Sequence, residues 1–214
     1  MTSQHFLSHT LSGRADQPAA AALTNLYRHI RTMYPLEEPD WALFQTRVHW
    51  ERCPKGTLLL HPGQVCNCLR FLHRGAVIYY EGLDEELQLE QVSWIAQPGE
   101  MVVEISSFFQ QAPTRQYLKC TADCEFLSLS YENLQTLYAQ SAAWNTVGRR
   151  LVEQHMLLMA ERTRFHQLSQ AREKYRYFAE RFPQALQLVS QRHIAAFLGI
   201  RPETLSRLRG KKKL

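Results

Sequence analysis

The sequence predicts an α+β protein, because its 214 residues fall into blocks that differ in glycine and proline content and in the spacing of apolar residues. Between about Val48 and Leu129, five of the nine glycines separate short runs rich in β-branched, aromatic and leucine residues. From Ser130 to Gln170, Gly148 is the only glycine and proline is absent. The last 25 residues hold two short amphipathic segments joined at Gly199. These three patterns predict a β domain, a long helix and a helical hairpin, in that order.

Composition narrows the class of protein. A hydrophobic content of 45% is enough for sizeable cores, and no apolar run approaches the roughly 20 residues of a membrane span. The N-terminus has no basic segment followed by an apolar one, so no secretory signal is expected. Five cysteines without such a signal are read as reduced thiols. We therefore expect a cytoplasmic protein with no membrane partner.

Two helices are expected after a mobile start, residues 1–18. From Ala19 onward, apolar residues recur at helical spacing up to Pro35, which ends the helix. They are Leu23, Leu26, Tyr27, Ile30 and Tyr34. A second short helix is expected to start at Asp40, whose side chain can cap it. Both helices are read as packing elements.

The glycine-separated block predicts short antiparallel strands arranged as a sandwich or barrel. Its runs are RVHWERC, TLLLH, CLRFLHRG, AVIYYEG, LQLEQVSWIA and YLKCTADCEFLSLS. Alternation of apolar and polar residues in LRFLHRGAVIYY and EFLSLS predicts one face inward and one face wet. The block makes a β domain of about 80 residues.

The long helix carries an apolar repeat of seven residues. Trp144, Leu151, Leu158 and Phe165 are spaced by seven, and Val147 and Leu168 add the interleaved position at the two ends. Polar residues occupy the interleaved positions in the middle: Gln154 or His155, and Glu161 or Arg162. Such a repeat indicates a helix–helix seam, although a helix lying on its own β domain is the alternative. We favour a homodimer helix.

The C-terminal hairpin predicts a helix-turn-helix. Ile194 and Leu198 place an apolar face on the first helix, and Ala195 provides the small residue that a close helix crossing needs. Gly199 suits the turn, and Pro202 suits the first turn of the second helix. Residues 201–209 are the expected recognition helix. Glu203, Ser206 and Arg207 are expected on its side away from Leu205 and Leu208.

Charge favours double-stranded DNA as the partner of this hairpin. From Ser190 onward there are seven Lys and Arg against one acidic residue, a net charge of +6. The other 189 residues carry 18 basic and 19 acidic residues, a net charge of −1. A terminus of one sign beside such a motif fits a polyanion. A hairpin that merely closes a core is the alternative.

The order of these blocks resembles the CRP/FNR superfamily of bacterial transcription regulators from about Ala20 onward. The most specific segments are RHIAAFLGIRPETLSRLRG, similar to the family's IA..LG...ETLSR core, and LRFLHRGAVIYYEG. Short members without a wing, of the kind found in Bacteroidetes, look nearest. The resemblance implies a cyclic-nucleotide-binding-like β-roll (a double-stranded β-helix), a dimerisation helix and a DNA-binding domain. RNA polymerase is then a further candidate partner.

The resemblance assigns roles on the helix-turn-helix. Glu203, Ser206 and Arg207 match the side chains that face the major groove. Arg can donate two hydrogen bonds to guanine, Glu can accept from cytosine, and Ser can bond to either kind of partner. Phosphate contacts are expected from Gln191, Arg192, Arg201 and Thr204, together with Lys211, Lys212 and Lys213. Many family members continue into a β-hairpin wing, whereas this sequence continues only to Leu214. We expect the lysines to take over part of that contact.

The β-roll departs from the pattern of cyclic-nucleotide-binding members. Glu104 matches their ribose-binding glutamate, but Val103 stands where they have glycine. The phosphate position falls on Thr114, with Arg115 one place beyond. A β-branched residue resists the backbone geometry that presents N–H groups to a phosphate. We do not expect cAMP or cGMP to bind, and Glu104, Thr114 and Arg115 are the candidate pocket residues for another effector.

Neither metal nor catalytic chemistry is expected. Cys66 and Cys68 are two apart, and Cys120 and Cys124 four apart, so neither pair has the C-x2-C spacing of common metal sites. Buried thiols used for packing are the expected role. The sequence has no dinucleotide, nucleophile-elbow or P-loop motif. No cofactor is predicted, and the protein is not expected to be an enzyme.

The sequence thus predicts a homodimeric DNA-binding transcription regulator with a sensor domain. The predicted divisions are 19–135 for the β-roll and its flanking helices, 136–170 for the dimerisation helix and 171–214 for the helix-turn-helix domain. The competing interpretation is a ligand-sensing or protein-interaction module whose helix-turn-helix has become a packing element. The two differ in whether DNA binding is selective and sensitive to salt.

Overall fold

The computed structural model describes residues 17–84 and 89–210, and two helices precede its β block. They are α1 (Gln17–Met33) and α2 (Glu38–Gln45). The predicted mobile segment 1–18 is corrected at its end, since α1 includes Gln17 and Pro18, and residues 1–16 lie outside the described residues. The predicted cap of α2 is also wrong. Asp40 lies inside α2, where its carboxylate accepts a 2.6 Å hydrogen bond from the Ser141 hydroxyl.

Short antiparallel strands follow, as the glycine spacing predicts. They form two four-stranded sheets, one ordered β1-β8-β3-β6 and the other β2-β7-β4-β5. A short helix, α3 (Ile105–Gln110), lies between β6 and β7. The strands are β1 (His49–Cys53), β2 (Leu58–Leu60), β3 (Cys68–Arg74), β4 (Val77–Asp84), β5 (Leu89–Ala96), β6 (Met101–Val102), β7 (Tyr117–Cys120) and β8 (Cys124–Ser130).

The two sheets enclose the first core. Leu72 and Phe126 from one sheet pack with Val77 and Leu118 from the other, and all four are at most 1% exposed. Because the chain passes from one sheet to the other between β7 and β8, the block is a β-roll rather than two separate sheets. The predicted antiparallel β-roll is confirmed.

Gly75 allows the tight turn between β3 and β4. Its φ is +100°, and a Cβ there would lie 2.5 Å from the Cys124 sulfur. Only glycine fits such a position, because a side chain would meet both an unfavourable backbone conformation and a neighbouring strand. The glycine in LRFLHRGAVIYYEG is thus required by the close approach of β8.

The predicted long helix is two helices, α4 (Tyr131–Gln140) and α5 (Ala142–Gln167). The chain breaks at Ser141, whose hydroxyl accepts a 3.2 Å hydrogen bond from the Trp144 N–H and so caps α5. The C-terminal part then contains α6 (Ala171–Arg181), α7 (Ala185–Leu188), α8 (Gln191–Leu198) and α9 (Pro202–Gly210). Among the described residues, no helix is both long and apolar enough to cross a membrane.

The C-terminal helices cover the outer face of the second sheet. Val77 and Tyr79 point into the β-roll, while Ile78 and its neighbour Ile95 on β5 pack with the C-terminal helices in a second core. All four are buried, so the prediction that one face of this segment is wet is wrong. The C-terminal helices cover that face and exclude solvent from it. A strand buried on both sides reads as a continuous apolar run, as Ala76 to Tyr79 does.

A buried ion pair joins three strands of the first sheet. Arg70 Nε donates to Glu51 Oε2 at 2.8 Å, and the Ser128 hydroxyl donates to the same oxygen at 2.7 Å. Both charged side chains are about nine-tenths buried, at 10% and 11% exposure. Burial by itself would raise the pKa of Glu51, but the Arg70 charge and these hydrogen bonds hold the pKa below its ordinary value.

Replacing Arg70 with methionine leaves the Glu51 carboxylate buried without its partner. We expect the free energy of unfolding at pH 7 to fall by about 3 kcal/mol. Since folding lowers the pKa of Glu51, its stabilising contribution is present above its unfolded pKa of about 4.3 and is lost as the pH falls. Urea unfolding at pH 7 and pH 4 should therefore show a smaller difference between wild type and variant at pH 4.

Arg52→Met is the matched control for this experiment. Arg52 lies 3.6 Å from Glu125, but its side chain is 54% exposed. An exposed ion pair contributes less than about 1 kcal/mol. Equal losses of stability in the two variants would contradict the stabilising role assigned to the buried pair.

Candidate nucleic-acid interface and ligand cavity

The turn between α8 and α9 has the geometry that the sequence predicts. Gly199 ends α8 with a φ of +62°, and the N–H groups of Gly199 and Ile200 donate to the carbonyls of Ala196 and Ala195, both at 3.1 Å. Lys174 Nζ of α6 donates to the Leu198 carbonyl at 3.2 Å. The last carbonyl groups of α8 are thus satisfied by the turn and by α6.

The second helix separates a buried face from an exposed one. Leu205 is fully buried and Leu208 is half-buried, in the same core as α8. Glu203, Ser206 and Arg207 are all exposed on the opposite side of α9. The structure therefore brings the three predicted base-contacting side chains together on one helix face that solvent can reach.

Most of the predicted phosphate contacts that the structure describes are exposed. Gln191 and Arg192 are exposed at the start of α8, Arg201 is exposed just before α9, and Thr204 is half-buried. Lys211, Lys212 and Lys213 lie outside the described residues. Gln191, Arg192 and Arg201 are thus open to solvent at the start of α8 and just before α9, as phosphate contacts require.

Glu90 of β5 faces the start of α8, a neighbour that the sequence gives no means of predicting. Its carboxylate lies 3.8 Å from Arg192 Nε and 3.9 Å from His193 Nε2. Burial lowers the pKa of His193 more than the Glu90 charge raises it, so the ring is mainly neutral at pH 7. With Arg192 59% exposed, this is a weak contact that a DNA phosphate could replace.

Aromatic packing holds the C-terminal domain against β5. Trp94 meets the rings of Phe182 and Phe197 edge-on, at centroid distances of 5.4 and 6.4 Å. Gln97 Nε2 donates to the Arg181 carbonyl at 2.9 Å. The Arg181 guanidinium in turn lies 3.0 Å from Glu100. The position of the helix-turn-helix therefore depends on side chains of the β-roll.

The apolar repeat of α5 packs within its own chain. Trp144 stacks on Phe44 at a centroid distance of 4.8 Å, and Val147 is fully buried in the same core. At the other end, Phe165 stacks on Phe197 at 5.3 Å. The prediction of a dimer seam is therefore wrong for Trp144, Val147 and Phe165. Their partners come from the β-roll side and from α8, which is the alternative that the sequence left open.

The polar interruptions of the repeat also face inward. Leu151, His155, Leu158 and Arg162 follow one another at three- and four-residue spacing, so they share one face of α5, and all four are half-buried. They line a cavity between α5 and the β-roll. The middle of the repeat is imperfect because the helix there borders open space rather than a packed core.

The exposed apolar residues of α5 lie on other faces. Val152, Met156 and Leu157 are 46%, 67% and 70% exposed. Val152 and Met156 are one turn apart and continue to Met159, which makes an apolar stripe beside the inward face, and Val152 and Met159 also border the cavity. These residues form the exposed apolar surface of α5.

The cavity between α5 and the β-roll has a volume of about 710 Å³, a size typical of small-molecule sites. Glu104 lines it, but Thr114 and Arg115 do not. The Glu104 carboxylate accepts hydrogen bonds from the N–H groups of Ser106 and Ser107 at 3.2 and 2.8 Å, so it caps α3. Thr114 is buried, and Arg115 is exposed. The structure does not bring the three predicted pocket residues together.

The backbone next to Glu104 is also engaged within the protein. The Val103 N–H donates to the hydroxyl of buried Tyr79 at 3.0 Å. Among the described non-glycine residues, only Gln111 has a positive φ, so Val103 does not adopt the conformation of the glycine it replaces. An anion would have to displace the Tyr79 hydroxyl to reach this N–H group.

The five cysteines are free thiols and form two separate groups. Cys120 is in hydrogen-bonding contact with Cys53 and Cys124, and these bonds together with burial raise the pKa of the Cys120 thiol. Cys66 and Cys68 lie elsewhere, on and beside β3, and burial raises the pKa of both. Among the described residues, no group of three or more suitable side chains could hold a metal ion.

Comparison with known proteins relates the β-roll to one family. Residues 50–141 match the model of the cyclic nucleotide-binding domain family. None of the curated proteins is significantly similar to the chain. The matched span covers β1 through α4, and so includes the strands that form the inner wall of the cavity.

Solved structures with the same fold extend the likeness to the C-terminal helices. The c-di-GMP-responsive global regulator CLP of Xanthomonas campestris is 21% identical, with a TM-score of 0.58, over 83% of this chain and 92% of its own. FixK2 of Bradyrhizobium japonicum is 17% identical, with a TM-score of 0.61, over 77% and 83%. A candidate CRP/FNR-family regulator of Eubacterium rectale is 16% identical, with a TM-score of 0.60, over 81% and 82%. At these identities the likeness establishes the fold.

Gly199→Ala tests the geometry of the turn. Its φ of +62° is unfavourable for alanine, whereas a Cβ would meet only Lys174 Nζ at an ordinary 3.8 Å. We therefore expect the variant to lose about 1 kcal/mol of unfolding free energy through backbone strain. Gly210→Ala is the control, since Gly210 has no positive φ and open space around it. Thermal unfolding that shows no difference between the two variants would argue against this turn.

Proposed function

Because the chain is CRP/FNR-like, with a region of the cyclic nucleotide-binding domain family at residues 50–141, we propose that it is a DNA-binding transcription regulator. One observation carries the proposal. Glu203, Ser206 and Arg207 stand exposed on one face of α9, opposite buried Leu205, in a segment with a large positive excess. A helix that is anchored by one face and presents polar side chains on the other is how these motifs enter the major groove.

The proposed contacts are of two kinds, contacts to bases and contacts to phosphates. Arg207 can donate two hydrogen bonds to guanine, Glu203 can accept from cytosine, and Ser206 adapts to either kind of partner. Around them, residues able to contact phosphates would fix the register of α9 without reading the sequence. These are Gln191, Arg192, Arg201 and Thr204, with Lys211, Lys212 and Lys213 beyond the described residues.

We propose that the regulator acts as a cytoplasmic homodimer. The divisions at 19–135, 136–170 and 171–214 would then be sensor, dimerisation and DNA-binding parts. The surface offered to the second copy is the apolar stripe of Val152, Met156 and Met159 on α5. Two copies paired along α5 would place two α9 helices one DNA turn apart, about 34 Å. RNA polymerase as a further partner stays a prediction.

A second candidate function is favoured by one contact. The start of α8 faces Glu90, and Phe197 packs on Trp94, so the helix-turn-helix is docked on the β-roll. A sensing or protein-interaction module that uses the hairpin only for packing would show the same docking. The charge of the last 25 residues favours the DNA-binding candidate, because the solvent face of a packing helix usually mixes signs, whereas this segment has a net charge of +6.

Arg207→Ala and Arg201→Ala should affect DNA binding differently. We expect Arg207→Ala to cost about 1–3 kcal/mol on the preferred duplex and little on random duplexes, because a base contact is lost. Arg201→Ala should weaken all duplexes alike and reduce the slope of log affinity against log salt by about one. Fluorescence anisotropy at several salt concentrations measures both effects. No duplex binding at moderate salt would exclude the DNA-binding function and leave the packing interpretation.

Met156→Glu tests the proposed dimer surface. Met156 is 67% exposed, so the charge should be harmless in a monomer but should separate two α5 helices paired through this stripe. We expect sedimentation at micromolar concentration to change from dimer to monomer. Gln135→Glu, which adds the same charge to an exposed position of α4, should remain dimeric. A wild-type protein that sediments as a monomer would contradict the dimer, whatever the variants do.

A further inference from the structure

Arg162 is a half-buried cation beside the cavity between α5 and the β-roll. Its guanidinium carbon lies 5.9 Å from the centre of the Trp94 ring, which forms part of the cavity wall. No carboxylate of the described residues lies within ion-pair distance of it. Burial lowers the pKa of Arg162, yet the side chain stays positive at neutral pH because an arginine pKa starts so high. Partly buried charges normally have a partner, so this one is unusual.

The carboxylates around the cavity are engaged elsewhere. Glu100 is neutralised by Arg181 at 3.0 Å, and Glu104 accepts two backbone hydrogen bonds at the start of α3. Glu161, next to Arg162 in the chain, also lines the cavity, but it is exposed to solvent. Burial, and to a lesser extent Arg162, lowers the pKa of His155, so this ring is neutral at pH 7. Among the described side chains that line the cavity, Arg162 is thus a half-buried cation without a carboxylate at ion-pair distance.

The remaining walls of the cavity are mostly apolar. They include Tyr79, Trp94, Met101 and Val103 from the β-roll and Leu151 and Leu158 from α5. A ligand that fits such walls gains from burying hydrocarbon or aromatic surface, at about 0.8 kcal/mol for each methylene group. It would also gain by placing a negative charge against Arg162.

We propose that the cavity binds a small amphiphilic anion, with a carboxylate on Arg162 and an apolar body along the β-roll wall. The chemistry argues against a cyclic nucleotide. A sugar phosphate and a polar base would need several buried donors and acceptors, whereas the Val103 N–H and the Glu104 carboxylate already have partners within the protein. A second copy of α5 does not fit this charge either, because its exposed stripe is apolar.

The same site is connected to the helix-turn-helix through one side chain. Trp94 forms the cavity wall beside Arg162 on one side and packs against Phe197 of α8 on the other. A ligand that draws Arg162 away from the Trp94 ring changes the surface on which α8 rests. Binding at the cavity stands without DNA, but this regulatory consequence rests on the proposed function.

Calorimetric titration of the full chain with sodium decanoate and with decanol tests the site. We expect decanoate to bind and Arg162→Gln to weaken it about tenfold or more, while the affinity for decanol stays unchanged. In the series octanoate, decanoate, dodecanoate, each step of two methylenes should strengthen binding about tenfold. Arg164→Gln, an exposed arginine on the same helix that does not line the cavity, is the matched control.

Three outcomes would overturn the proposal. They are no binding of decanoate up to about 1 mM, equal weakening of decanoate and decanol by Arg162→Gln, and binding that does not change with chain length. If a second copy of the chain filled the cavity, decanoate would not bind. Repeating the titration on Arg207→Ala separates this proposal from the DNA-binding one, since decanoate affinity should be unchanged in that variant whether or not the chain binds DNA.

Discussion

Trp94 of β5 lies between two parts of the molecule, with the rings of Phe182 and Phe197 edge-on against it at 5.4 and 6.4 Å. This contact continues the second core, in which Ile78 and Ile95 on the outer face of the sheet pack with the C-terminal helices. Aromatic pairs of this kind contribute about 0.5–1.5 kcal/mol beyond the area that they bury. Without the C-terminal helices, the outer face of the second sheet would be an apolar surface in water.

The strength of the docking is unevenly distributed. Phe182 and Phe197 are buried and Trp94 is half-buried, whereas the Glu90 contact with the start of α8 is long and partly exposed. A DNA phosphate could therefore take over Arg192 at little cost, while moving α8 away from β5 would require repacking around Trp94. Because the cavity under α5 shares that tryptophan, a molecule bound there can act on the DNA-binding helices through side-chain packing alone. That is the physical basis of our expectation that this chain is a switchable regulator.

Local patterns predicted the fold well, and long-range packing was where they failed. Glycine spacing located the strands, and Gly199 located the turn of the hairpin, because both depend on backbone conformation within a few residues. The seven-residue repeat of α5 identified one face correctly but gave it the wrong partner, since Trp144 and Phe165 pack within the chain. A repeat records that a face is buried and not what buries it. For the same reason Glu90 and the cavity-facing role of Arg162 could not be read from the sequence.

The central claim is that two copies of α9 read DNA sequence at a fixed separation. Selection of bound duplexes from a random pool, followed by sequencing, tests it most directly. The account predicts enrichment of a two-fold symmetric site whose half-sites are about 10 base pairs apart, because a dimer places its recognition helices one DNA turn apart. A bound pool with the same sequence composition as the starting pool would contradict it.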